Sequence, residues 1–130
     1  MNTKLLMGVS AGFLGLLGIA LSFIPQEILT FFKLQVTQLS TLFLQIIGAL
    51  YMGFAMLNWM SKASLIGGIY NRPVAIANVM HFTVVALALV KIVFNIQQFE
   101  TTIISFTAIY IVLAAAFGYV LLTSPVKESK

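Results

Sequence analysis

His81 is the one histidine in the chain, and it stands inside the apolar run Val74 to Phe94. An ionisable side chain at membrane depth is costly to hold there, so such a residue is a functional-site candidate. It follows Val74 by seven residues, which at about 1.5 Å per residue puts it roughly 10 Å from the nearer edge of that run. Asn78 precedes it by three residues and Asn71 precedes Asn78 by seven, so the three share one helical face. Arg72 heads the same segment, while Asn58 and Tyr51, seven residues apart, share a face of the preceding apolar run. Together Tyr51, Asn58, Arg72, Asn78 and His81 could line a polar pocket open to the cytoplasmic side. Two uses compete for these groups. A neutral His81 bonded to Asn78 or to a tyrosine of another helix would hold the helices together, and the same imidazole in a pocket would bind a ligand or move a proton.

Several chemistries lack their parts. The chain has no cysteine and no aspartate, and Glu27, Glu100 and Glu128 all fall in connections or the tail. Disulfides, thiol relays and thiolate metal sites are therefore excluded, as is a paired-carboxylate acid–base site within the membrane. One histidine cannot supply two-histidine haem ligation, and a metal on His81 would have no carboxylate or thiolate beside it. A small proton-coupled exporter needs a carboxylate within the first apolar run, which has none. Neither a catalytic residue, nor a metal site, nor a cofactor is expected.

The elements that must position these side chains are set by composition. Of 130 residues, 61% are hydrophobic and 8% charged, against about 25% charged in a soluble domain. Apolar runs at 5–24, 39–60, 74–94 and 102–123 each approach the roughly 20 residues that cross a ~30 Å hydrocarbon layer. They are continuous rather than alternating, which predicts helices and not barrel strands. The opening Met-Asn-Thr-Lys resembles a signal-peptide start, but Ser22-Phe-Ile-Pro25 offers no small-x-small cleavage site, so this run is read as a first span. The expectation is one domain, 1–130, folded as an antiparallel bundle of four transmembrane helices. Lys4, Lys62, Arg72, Lys127 and Lys130 would lie on one side and only Lys33 and Lys91 on the other, placing both ends in the cytoplasm. The formal charge of +4 is spread along the chain, unlike the clustered patch of a nucleic-acid binder.

Between the first two runs, Pro25 suits the first turn of a short helix with Ile28, Leu29 and Phe32 on one face. An interfacial amphipathic turn is expected there, with an ordered loop as the alternative. Gly67-Gly68 and Pro73 mark the inner connection, and Trp59, Tyr70 and Tyr119 stand near that interface. The connection Asn95 to Thr101 is short enough to make the last two helices antiparallel neighbours. The charged segment from Ser124 to Lys130 ends the last helix.

Water does not drive membrane helices together, so small residues that allow close approach carry association. Gly15 and Gly18 lie with Ala11 and Ser22 on one stripe of the first helix, and Gly8 with Gly12 forms a GxxxG pair beside it. Ala49 with Gly53 and Ala114 with Gly118 are further pairs of this kind. Their expected use is within the chain, with homodimers as the alternative.

The stretch Gly48-Ala-Leu-Tyr-Met-Gly-Phe-Ala-Met-Leu-Asn-Trp59, followed by Gly67-Gly-Ile-Tyr-Asn-Arg-Pro73, resembles the DoxX-like group of small bacterial four-helix membrane proteins. The whole chain shares the layout and these two segments carry the detail. The resemblance implies a bacterial inner (plasma) membrane location and an association with quinone-linked redox complexes, and it carries over no catalytic residue. Two functions follow as expectations. One is an accessory or scaffolding subunit docked to other membrane proteins in the lipid bilayer. The other is a binder or transporter of a small amphipathic molecule, a quinone or a lipid, through the polar pocket.

Overall fold

A computed structural model describes residues 2–63, 71–95 and 100–123. Their secondary structure is α-helical: α1 (Thr3–Phe23), α2 (Pro25–Phe31), α3 (Gln38–Ser61), α4 (Arg72–Val93) and α5 (Glu100–Thr123). All but α2 are long and apolar enough to cross a membrane, as an all-α protein of four spans requires. The observed ends fall within two residues of 5–24, 39–60, 74–94 and 102–123. Gly67, Gly68, Tyr70 and the segment 124–130 lie outside the described residues.

Local chemistry explains the boundaries. Pro25 sits in the first turn of α2, where its missing N–H is not needed. The short helix expected there therefore forms, with Pro25 and Leu29 buried, Ile28 and Phe32 half-buried, and its face turned onto α3. It ends in a paired cap: Leu34 N–H donates to the Leu29 carbonyl at 2.9 Å and Lys33 N–H to that of Thr30 at 3.0 Å. That cap needs a left-handed residue, and Lys33 supplies it with φ 55°, a conformation in which its Cβ is crowded. At the start of α3, Ser40 N–H donates to Thr37 Oγ1 at 3.0 Å while Thr37 N–H donates to Ser40 Oγ at 2.9 Å. Two N–H groups otherwise without helical partners are satisfied reciprocally. Pro73 in the first turn of α4 repeats the device used at α2.

The helices group into two compact units, Lys4–Lys62 and Ala63–Lys130 with Met1–Thr3. In the first, α1 and α3 meet at their backbones. A Cβ on Gly18 would stand 2.9 Å from the Gly48 carbonyl oxygen, and one on Gly48 would stand 2.8 Å from that of Gly18. Each glycine therefore aims a Cα–H at the other's carbonyl, a weak hydrogen bond suited to closely spaced helices. Gly15 continues the seam, its Cβ position 3.5 Å from Ala55 Cβ.

On α3 the seam runs through Gly48 and Ala55, both buried, and not through Ala49 and Gly53, which are exposed. One residue turns a helix by about 100°, which carries Ala49 out of the contact. Among the described residues, a Cβ added at Gly8, Gly12, Gly53 or Gly118 would meet nothing within 4 Å. Ala114, one helical turn before Gly118, is half-buried.

In the second unit α4 and α5 pair through aromatic rings. Phe82 and Phe117, both fully buried, stack with centroids 5.5 Å apart and planes at 10°. Tyr110, also buried, tilts against Phe82 at 5.6 Å.

Candidate functional site

The buried face of α1 comprises Met7, Ser10, Ala11, Leu14 and Gly18, the 3-4 spacing of one helical stripe. Ser10 is the polar member and is fully buried. Its Oγ donates to the Met7 carbonyl at 3.0 Å and accepts from Asn58 Nδ2 at 3.1 Å. Asn58, on α3, is fully buried as well. Its amide thus bridges two helices at a depth where water cannot serve the donor. Sequence reasoning missed Ser10, although its place on the same stripe as Ala11 and Gly18 was a usable signal.

Tyr51, two turns before Asn58 on α3, is half-buried. Arg72, Asn78 and His81 belong to the other unit. Asn78 is fully buried on α4 and its Nδ2 donates to the Val74 carbonyl one turn back at 2.9 Å. Arg72 is exposed at the start of α4. His81 is half-buried beside the aromatic group, its ring 5.1 Å from Phe82 and 6.0 Å from Tyr110. Within the α4–α5 unit the imidazole therefore lies against ring faces and edges. Among the described residues no cluster of three or more His, Cys, Asp or Glu side chains could hold a metal ion.

A second feature carries no polar chemistry. Along the first unit an apolar groove of about 350 Å³ runs between α1 and α3, lined by Gly12, Gly15 and Ile19 on one side and Met52, Met56 and Trp59 on the other. Trp59 lines the groove from the last turn of α3, and the Lys62 ammonium rests 2.8 Å from the centre of its ring. That cation–π contact fixes a positive charge at the end of an oily cleft.

Comparison with models of known families, with curated proteins and with solved structures finds no match to this chain.

Proposed function

We propose that this chain is an accessory or scaffolding subunit of a membrane protein complex. It resides in the bacterial plasma membrane with both ends of its four spans on the cytoplasmic side, and its resemblance to the DoxX-like group accords with that role. The supporting observation is the outer face of α3. Leu39, Leu42, Ile46, Leu50, Gly53, Leu57 and Met60 recur at three- and four-residue steps, and all are exposed. Three- and four-residue steps keep these side chains on one helical face, the arrangement by which one helix receives the side chains of another. Gly53 lies within it, with nothing among the described residues within 4 Å of its Cβ position, the shape that lets a neighbouring helix approach closely. The polar groups support the same reading, since the amides of Asn58 and Asn78 bond within their own units. A quinone pocket built on Tyr51, Asn58, Arg72, Asn78 and His81 has less support for that reason.

A photo-crosslinking amino acid at Leu50, activated in native membranes, is expected to capture one protein of reproducible mass. Gly53→Leu, whose Cβ would meet nothing within 4 Å among the described residues, should weaken that capture about tenfold, the equivalent of roughly 1.4 kcal/mol. Adducts to lipid alone, unchanged by Gly53→Leu, would refute the subunit reading.

A further inference from the structure

We propose that the groove between α1 and α3 seats one acyl chain of an anionic phospholipid, with its headgroup phosphate held at Lys62. The size of the cleft selects the occupant. A helix is about 10 Å across with its side chains and rises about 5.4 Å per turn, so 350 Å³ would take less than one turn of it. A single hydrocarbon chain is thin enough to lie along the whole length. The walls agree, since thioether, indole and branched aliphatic groups face a floor opened by Gly12 and Gly15.

Charge then selects the headgroup. The register of the helix pair is fixed by Ser10 against Asn58 and Gly18 against Gly48. Continued outward, that antiparallel register brings Lys4, at the start of α1, level with Lys62. Two lysines thus flank the end of the groove marked by Trp59, and indole rings sit at the depth of lipid headgroups. Lys62 is held on the ring that walls the cleft, so its charge stands where the phosphate of a lipid whose tail fills the groove would lie. A zwitterionic headgroup brings its own cation to this place and is disfavoured; an anionic one is favoured. This site is separate from the outer face of α3 and does not depend on the subunit reading.

The purified protein, delipidated in mild detergent and returned to phosphatidylglycerol or phosphatidylcholine, provides the test by native mass spectrometry. One phosphatidylglycerol per chain should be retained in preference to phosphatidylcholine. Lys62→Gln should lower that retention about fivefold, the effect of one interfacial lysine. Gly12→Leu should abolish retention of either lipid by filling the cleft, and nothing among the described residues opposes a Cβ there. Equal retention of the two lipids by the unaltered protein, or undiminished phosphatidylglycerol binding in Gly12→Leu or in Lys62→Gln, would overturn the proposal.

Discussion

Gly48→Ala is expected to destabilise the α1–α3 pair by about 2 kcal/mol, and Gly48→Val by more, as for overpacked contacts generally. The added Cβ would meet the Gly18 carbonyl oxygen and the Ser22 backbone nitrogen, each at 2.8 Å, and would collide with Ser22 Oγ. Two of those three atoms belong to the backbone, so no rotamer change relieves the clash and α1 itself must move away. Moving it also lengthens the reciprocal Cα–H contacts and strains the Asn58–Ser10 bond of 3.1 Å farther along the same pair. In a membrane no hydrophobic gain offsets this, because lipid tails welcome the separated helices. Reversible unfolding in mixed micelles measures the loss. Gly53→Ala, one residue type and five positions away, should change stability by a few tenths of a kcal/mol at most, since its Cβ would enter open space among the described residues. Equal losses at the two positions would place the seam elsewhere.

Phe82→Ala is expected to cost about 2–3 kcal/mol in the same assay and to loosen α4 from α5. Phe82 is fully buried and touches three rings: Phe117 at 5.5 Å, Tyr110 at 5.6 Å and His81 at 5.1 Å. In a soluble core, Phe→Ala typically costs about 3–5 kcal/mol, part of it the loss of transfer from water. Here the alternative environment is lipid, so that part falls away. What remains is the void and the lost dispersion and ring contacts. Phe82→Leu should recover more than half of the loss by refilling the volume. A full-sized loss in Phe82→Leu would instead assign the stability to ring geometry and not to occupied space.

The spans were legible in the sequence because lipid imposes a simple demand. A segment that cannot bond to its solvent must be helical and continuous, and the four runs could be bounded to within two residues. Pro25 with Ile28, Leu29 and Phe32 likewise announced α2, since a helix start and an apolar face coincide there.

The phase of each helix was harder to read. A soluble helix shows its buried side by contrast with a polar one, whereas α3 is apolar nearly all round. Gly48 and Ala49 were then equivalent as small residues, and only coordinates separate the seam from the exposed face. Asn58 was visible as a polar group within an apolar run and read as a pocket-lining candidate, but nothing in its identity said that Ser10, 48 positions earlier, would accept its hydrogen bond. Lys33 shows a different limit. Its left-handed backbone is set by the two capping bonds at the end of α2, and a lysine gives no hint of a position where glycine is usual.

The claim on which all of this rests is that α1, α3, α4 and α5 each cross the bilayer. The chain contains no cysteine, so single cysteines can be introduced without background. With both ends cytoplasmic, as proposed, bacterial cells producing each variant and treated intact with a membrane-impermeant thiol reagent should show label on Gln35→Cys and Asn95→Cys, while Ala63→Cys should react only after the membrane is opened. Ala63→Cys labelled alongside Gln35→Cys before opening would contradict the crossing of α3 and, with it, the four-span account.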